Sequence, residues 1–145
     1  MKERSISTTK QNALLMAGLA ACCGLVFATA GSYAQAPSSA DNEMAFNNHC
    51  RECHAFDKGD NRTGPTLYGV VGRKAGSVPE YEYSESLKAS GITWTESNLD
   101  QWITNPNSFI PGNNMGAVFP GLPDKNERAK IIAFLKGDTK KPSGQ

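Results

Sequence analysis

Two cysteines and a histidine stand together in the segment Cys50-Arg51-Glu52-Cys53-His54. Two thiols separated by two residues lie about one helical turn apart, which suits thioether bonds to the two vinyl groups of one haem. The imidazole that follows them is placed to bind the haem iron. The segment therefore predicts c-type haem attachment, with Cys50 and Cys53 as the attachment points and His54 as an iron ligand.

The same thiols could belong to a redox dithiol or to a zinc site. A thioredoxin-like dithiol is expected within a βαβ unit and gives no role to His54, whereas this sequence shows no strand alternation. A zinc site needs four ligands, and residues 35–145 offer no second Cys/His pair. Haem attachment is the interpretation that uses all three side chains.

A second iron ligand is expected, because low-spin, six-coordinate iron suits electron transfer. His49 directly precedes the attachment segment and is expected on the helix surface, while Met44 is expected to pack as an apolar side chain of the same helix. Met115 lies in a loop rich in Pro and Gly, far enough along the chain to reach the opposite face of a haem. Met115 is the preferred candidate, and a core-filling role is its alternative.

The elements that must position these residues are short helices. Helical spacing and capping patterns predict helices over 41–53, 84–90, 95–105 and 124–137, the last opened by a capping-box pattern. Loops are expected between them, above all over 55–79, which contains five Gly and two Pro. The predicted fold class is all-α, with short helices and long loops and a protein core so thin that another group is expected to fill it.

Composition limits the possible functions. The chain has 145 residues, 15 Lys plus Arg against 14 Asp plus Glu, a net charge of +1 and a mean hydropathy of -0.45. These values fit one globular domain, predicted over residues 35–145, and lack the basic excess of a nucleic-acid binder. Charges of both signs are interspersed, so docking charges would be local and electron transfer to a partner is expected to depend moderately on salt.

Residues 1–34 have the pattern of an export signal. A basic start precedes an uncharged run from Ala13 to Ala30, and a small-x-small site at 32–34 stands before Gln35. Cleavage and a periplasmic location are predicted. The alternatives are a retained membrane anchor and lipidation at Cys22, and contact with a membrane is expected only if this N-terminal segment is retained.

An ordered set of motifs extends over much of the chain and resembles the class I c-type cytochromes, nearest to mitochondrial cytochrome c and its soluble bacterial relatives. The resemblance runs from about Phe46 to Lys136. It includes residues 50–54, Thr63-Gly64-Pro65, Gly72-Arg73-Lys74, Gly91-Ile92-Thr93-Trp94, Asn105-Pro106, Ile110-Pro111-Gly112 with Met115, Glu127-Arg128-Ala129 and 131–136.

The resemblance implies the cytochrome c fold, wrapped around one covalently bound haem c. It implies that Cys50 and Cys53 hold the haem, that His54 and Met115 are its axial ligands, and that the carbonyl of Pro65 accepts the free ring N–H of His54. Further residues are expected to surround and hydrogen-bond a haem propionate. These are Arg73, Tyr83 and Trp94, for which solvation or aromatic packing is the alternative role.

Several positions depart from the mitochondrial pattern. Trp102 replaces a tyrosine that usually approaches the methionine ligand, Leu87 replaces an asparagine of an internal polar network, and Asn42 replaces a glycine where the first and last helices cross. Asn113-Asn114 replaces a Thr-Lys pair that precedes the methionine ligand in the mitochondrial pattern, and this replacement removes a positive charge near the exposed haem edge.

The resemblance implies a non-enzymatic, monomeric, one-electron carrier. Its partners would be redox proteins such as a membrane cytochrome complex, an oxidase, a dehydrogenase or a photosynthetic centre, with no nucleic acid. A haem enzyme or gas sensor is the alternative function, and it would need an open sixth coordination position. A tethered electron-transfer subunit is the alternative if residues 13–30 are retained.

Overall fold

A computed structural model describes residues 36–137, so the predicted export signal lies outside the described residues. This part of the chain contains helices and connecting loops, and its β structure is an isolated antiparallel bridge between Lys74 and Thr93. The elements are α1 (Ser39–His49), α2 (Glu85–Ala89), α3 (Glu96–Thr104), α4 (Pro106–Phe109), a 3₁₀ turn (Met115–Ala117) and α5 (Lys125–Gly137). The predicted all-α fold of short helices and long loops is confirmed.

Helix α1 begins two residues before its predicted start and ends well before its predicted end. The Ser38 hydroxyl accepts from the backbone N–H of Asp41, while the Asp41 carboxylate accepts from Ser38 N–H at 2.9 Å, which completes a capping box. The helix closes at His49, and Cys50 N–H still bonds to Phe46 O at 2.8 Å. The prediction that the helix continues to Cys53 was wrong, because the backbone turns after Cys50.

The predicted loop over 107–123 contains two short helical turns. Asn105 ends α3 and also caps α4, since its side-chain oxygen accepts from Ser108 N–H at 3.0 Å. Pro106 then occupies the first turn of α4, where its missing N–H costs nothing. The prediction that α3 stops before Pro106 is confirmed, whereas the expectation of an unbroken loop after it was wrong.

The first and last helices pack against each other and form much of the core. Phe46 of α1 is fully buried and stacks on Phe134 of α5, with ring centroids 4.6 Å apart, and Phe56 packs edge-on against both rings. Asn42, where a glycine was expected, keeps its Oδ1 buried without a hydrogen-bond partner among residues 36–137. That orphaned oxygen is an energetic cost of the asparagine at this position.

Arg128 joins α5 to α3 and to the loop before α5. Its Nε donates to Asp100 Oδ1 at 2.7 Å, and its Nη1 donates to the carbonyls of Leu122 and Pro123 at 3.0 and 2.8 Å. The residue is only 7% exposed. These three hydrogen bonds hold α5 to α3 and to the loop before it.

The long loop predicted over 55–79 is present and is held by side chains that bond to backbone. The Thr66 hydroxyl donates to Asp57 O at 2.7 Å and accepts from Tyr68 N–H at 3.1 Å, while Thr66 N–H donates to Asn61 Oδ1 at 3.0 Å. Arg73 donates to Tyr68 O at 2.7 Å and to Thr66 O at 2.8 Å. These bonds give a defined shape to a segment without secondary structure.

None of the helices in residues 36–137 has the length and apolar character that a membrane span requires.

Candidate functional site

A cavity of about 320 Å³ lies between the helices and the two long loops. Its walls are mainly apolar and include Leu99 and Ile103 of α3 and Ile131 and Leu135 of α5. The eight residues that the sequence singles out all line it, although they are spread over much of the chain. They are Cys50, Cys53, His54, Pro65, Arg73, Tyr83, Trp94 and Met115.

The attachment segment lies in a tight turn directly after α1. Cys53 N–H and His54 N–H both donate to Cys50 O, at 3.1 and 2.9 Å, so that both thiols and the imidazole border the same cavity. Burial, with a smaller contribution from the Cys53 thiol, raises the pKa of Cys50 to about 12. The raised pKa disfavours the thiolate form of Cys50, which is the reactive form of a thiol.

The imidazole of His54 is fixed by the backbone of the next loop. Its Nδ1 lies 2.7 Å from Pro65 O, so Nδ1 carries the proton and donates it to this carbonyl. Nε2 is then unprotonated, and its electron pair is free to bind a metal. Burial is the main cause that lowers the pKa of His54, the positive charge of Arg73 adds to it, and the bond to Pro65 opposes it. His54 is therefore neutral at neutral pH, the form that binds metals.

Gly64 allows the loop to approach His54. Its N–H donates to Cys53 O at 2.7 Å, and a Cβ atom there would collide with the imidazole ring. The role of Gly64 could not be predicted from the sequence, because the close approach to His54 is a tertiary contact.

Met115 begins the 3₁₀ turn and is held from both sides by asparagine side chains. Asn113 is 6% exposed; its Nδ2 donates to Ile110 O at 2.8 Å and its Oδ1 accepts from Gly116 N–H at 2.6 Å. Asn107 donates from Nδ2 to Gly116 O at 2.8 Å. These bonds fix the backbone around Met115, and sequence analysis did not predict a role for Asn107.

Arg73 and Tyr83 bring polar groups to the cavity wall. Burial lowers the pKa of Arg73, and burial raises the pKa of Tyr83 against the opposing influence of the Val78 backbone and the Arg73 charge. Tyr81, which sequence analysis did not single out, packs edge-on against Tyr83 at 4.8 Å and donates its hydroxyl to Thr63 O at 2.8 Å. The pair ties the segment before α2 to the loop that carries Pro65.

Aromatic and aliphatic side chains line one part of the cavity wall. Two of them, Trp102 and Leu87, replace polar residues of the mitochondrial pattern. Trp94 and Trp102 are both 7% exposed and pack with centroids 5.4 Å apart. Leu87, half-buried, also lines the cavity. Two of the departures, Trp102 and Leu87, therefore make this wall more apolar than the mitochondrial pattern would.

The two weaker candidates for the second iron ligand are Met44 and His49, and the structure places them differently from Met115. Met44 is 59% exposed and does not line the cavity, so its predicted packing role was also wrong, because it faces away from α5 and the core. His49 lines the cavity, but its Nε2 lies 3.5 Å from Glu127 Oε2 on α5. Met115 is the soft donor that the fold brings to the cavity.

A c-type haem fits this set of residues. The cavity has the size and apolar lining of a cofactor pocket, both thiols open onto it, and His54 keeps one ring nitrogen free. Residues 36–137 contain no cluster of three His, Cys, Asp or Glu side chains that could hold a bare metal ion. Two thiols, an imidazole and a thioether suit the iron of a haem, four of whose ligands come from the porphyrin.

Comparison with known proteins gives a consistent result. The Cytochrome c family model matches residues 40–138. The chain is 48% identical over 96 residues to cytochrome c2 of Rhodopila globiformis, a match that covers 66% of this chain and 89% of that protein. It is 42% identical over 100 residues to cytochrome c type-1 of Ascaris suum, which covers 69% of this chain and 88% of that protein. The solved structure of cytochrome cH from Methylobacterium extorquens is 44% identical with a TM-score of 0.63, covering 70% of this chain and 99% of that one.

These matches span almost the whole described fold and include the attachment segment, the Met115 loop and α5. Members of this family carry electrons on one covalently attached haem c. With the cavity geometry and the helical architecture, the matches establish that the chain belongs to the cytochrome c family.

Proposed function

We propose that this member of the family is a periplasmic one-electron carrier that shuttles electrons between redox proteins and makes or breaks no bonds of a substrate. The observation that supports it most is the convergence of all eight predicted site residues on one cavity. When bound there, the haem supplies a single Fe(II)/Fe(III) couple.

Cys50 and Cys53 are proposed to hold the haem covalently. Their backbone turn is closed by two hydrogen bonds to Cys50 O, and the helix before it is anchored through the buried Phe46. The two sulfur atoms are thus presented from a rigid support, which limits the entropy lost on attachment.

His54 and Met115 are proposed as the axial ligands. The bond from Nδ1 to Pro65 O holds the imidazole in one tautomer and increases the basicity of Nε2. The asparagine bonds around Met115 limit the movement of that loop, which supports a ligand that stays in place when the iron changes charge. With both residues bound to the iron, no coordination position would remain open for a substrate or a gas, which favours a carrier over an enzyme or gas sensor.

Arg73, Tyr83 and Trp94 are proposed to surround the haem propionates. Arg73 brings a partly buried positive charge to the cavity wall, which offsets the cost of burying a carboxylate nearby. Tyr83 and the buried Trp94 each have a side chain that can donate a hydrogen bond.

Periplasmic location is supported by the export-type pattern of residues 1–34. N-terminal sequencing of the protein purified from its host tests it. A chain that starts at Gln35 is the expected result, and a start at Met1, or a modified Cys22, would replace cleavage with an anchor or a lipid. The partners are proposed to be redox proteins that bind a monomer.

Met115→Ala tests the carrier proposal. The variant is expected to retain covalent haem, to have a lower reduction potential because a soft donor favours Fe(II), and to bind carbon monoxide or cyanide rapidly. Met44→Ala, which removes an exposed methionine outside the cavity, is the control and should behave as the unsubstituted protein. Rapid carbon monoxide binding by the unsubstituted protein, unchanged in Met115→Ala, would refute the assignment.

Attachment is tested separately on denaturing gels. The unsubstituted protein is expected to keep haem-associated peroxidase staining after denaturation, and the double variant Cys50→Ala, Cys53→Ala is expected to lose it. Haem that leaves the unsubstituted denatured protein would disprove covalent attachment.

A further inference from the structure

One long stretch of this chain carries no formal charge. Charged residues make up 20% of the sequence, but none occurs from Gln101 to Pro123. This stretch contains Met115 and contributes Asn113, Val118 and Phe119 to the cavity lining. The exposed residues of 111–120 make up what we call the neutral face, and they are Pro111, Gly112, Asn114, Ala117, Val118 and Pro120.

Val118 is the most exposed apolar residue of the neutral face. It is 73% exposed, and within residues 36–137 only Met44 is another large hydrophobic side chain left so open to water. Val118 and Asn114 also line the cavity, so the neutral face borders its opening. Val118 therefore leaves apolar surface in water beside the cavity, and a partner that covered it would remove that surface from water.

The neutral face has a defined shape. The side chains of Asn107 and Asn113 bond to the backbone of Gly116 and Ile110, as described above, and Val118 N–H and Phe119 N–H both donate to Met115 O. A partner that binds this loop therefore has little conformational entropy to remove.

Formal charge at the cavity comes from a different segment. Among the lining residues, Arg73 and Lys74 carry fixed charges, and both belong to the segment that pairs with Thr93. Arg73 already donates to two backbone carbonyls. The neutral face itself offers amide and apolar groups with no ammonium, guanidinium or carboxylate.

We propose that the neutral face docks a redox protein whose own cofactor lies beneath an uncharged, apolar surface patch. This inference rests on the proposed carrier function. A strongly acidic or basic partner surface would lose its water against the neutral face without gaining an opposite charge. An uncharged patch on the partner avoids that penalty and covers Val118. A small contact area is enough for such a complex, because redox encounters bury little surface.

The expected consequence is docking that is insensitive to salt. This differs from the moderate salt dependence predicted from the interspersed charges, because the neutral face itself carries none of them. Screening by salt weakens charge pairs and leaves apolar contact in place.

The test uses purified holoprotein on gold electrodes covered by monolayers of equal thickness. One monolayer ends in mixed methyl and hydroxyl groups, a second in carboxylates and a third in ammonium groups. The interfacial electron-transfer rate is expected to be highest on the neutral monolayer. It should change by less than about twofold between about 0.01 M and 1 M salt, over which the Debye length falls from about 30 to about 3 Å.

Two matched variants locate the contact. Val118→Lys places a charge on the neutral face and should lower the rate on the neutral monolayer about tenfold, whereas Met44→Lys makes the same change on α1 and should lower it less than about twofold. The absorption spectrum and reduction potential of each variant show whether the haem site is intact. Ala117→Lys, on an exposed neighbour, replaces Val118→Lys if that variant disturbs the spectrum.

Two results overturn the docking proposal: faster transfer on a charged monolayer, or equal rates for the Val118 and Met44 variants. A titration in solution with dissolved mediators separates this failure from failure of the carrier proposal. A reversible one-electron couple in solution without preference for the neutral monolayer refutes the docking face alone. Absence of a reversible couple in solution refutes the carrier function and the docking proposal together.

Discussion

Gly64 lies directly against the imidazole of His54. A Cβ atom on Gly64 would come within 2.6 Å of Nδ1 and 2.8 Å of Nε2, closer than such atoms approach in proteins. The neighbouring residue, Pro65, accepts the Nδ1 hydrogen bond at 2.7 Å. Two consecutive residues of one loop therefore determine both the position of the ring and its tautomer.

Gly64→Ala is expected to displace His54 from its position. The added methyl group must push the ring or the loop away, at a cost of about 1–3 kcal/mol in the free energy of unfolding. The absorption spectrum of the ferric protein should show partial loss of the low-spin form, and the stability loss is measured by urea unfolding. Gly137→Ala is the control, since a Cβ there meets nothing within 4 Å. Identical spectra for the two variants would contradict the prediction.

Asn113→Ala is expected to loosen the loop that carries Met115. The substitution removes the bonds to Ile110 O and Gly116 N–H from a buried site and leaves both backbone groups without their partner. The ferric variant should bind cyanide about tenfold faster, which corresponds to roughly 1.4 kcal/mol less resistance to opening. Asn47→Ala, an exposed position on α1, should leave the cyanide rate unchanged. An unchanged rate in Asn113→Ala would show that the loop is held by other contacts.

Arg128→Ala is expected to lower the free energy of unfolding by about 2 kcal/mol. Loss of the guanidinium leaves Asp100 and the carbonyls of Leu122 and Pro123 without their donor, and Asp100 is only partly exposed. Lys136→Ala breaks the exposed pair with Glu96 and should cost less than about 0.5 kcal/mol. Urea unfolding of the two variants at neutral pH makes the comparison, and equal losses would refute the structural role of Arg128.

Asp124 is expected to make stability depend on pH in the acid range. Hydrogen bonds from the backbone N–H groups of Glu127 and Asn126 hold the pKa of the Asp124 carboxyl below 3.8 in the folded protein. Because the folded pKa is depressed, the stabilisation is present above the unfolded pKa, about 3.9, and is lost as the pH falls through the folded value.

Asp124→Asn should therefore flatten the fall of unfolding free energy below about pH 4, as measured by urea unfolding at several pH values. Asp41 lies on α1, and its hydrogen bonds to Ser38 lower its pKa. Asp41→Asn should therefore flatten the fall of unfolding free energy over the same pH range, and the effects of the two substitutions should add. An unchanged slope in the double variant would contradict the prediction.

Local chemistry was the part of this site that sequence could predict. The attachment segment is continuous in the chain, and Met115 stood out because few soft donors are available. The all-α fold followed from helical spacing and from the density of Gly and Pro between helices.

Tertiary contacts explain what the sequence left out. Asp124 caps α5 as predicted, but Glu127 does not complete the capping box, because its carboxylate is bound by Lys130 at 2.6 Å and lies near His49. Complete boxes instead occur at Ser38 with Asp41 and at Thr95 with Asn98, where Asp or Asn replaces the usual Glu or Gln. The roles of Gly64 and Asn107 likewise depend on segments brought together by folding.

The packing of α1 against α5 has a consequence for the synthesis of this protein. The thiols of the attachment segment follow α1, but Ile131 and Leu135, which complete the cavity wall, belong to the last helix. A chain still emerging during translation has both thiols available before the pocket around them can close. Pocket closure therefore requires a nearly complete chain, and a product truncated before α5 would expose Phe46 to proteases and chaperones.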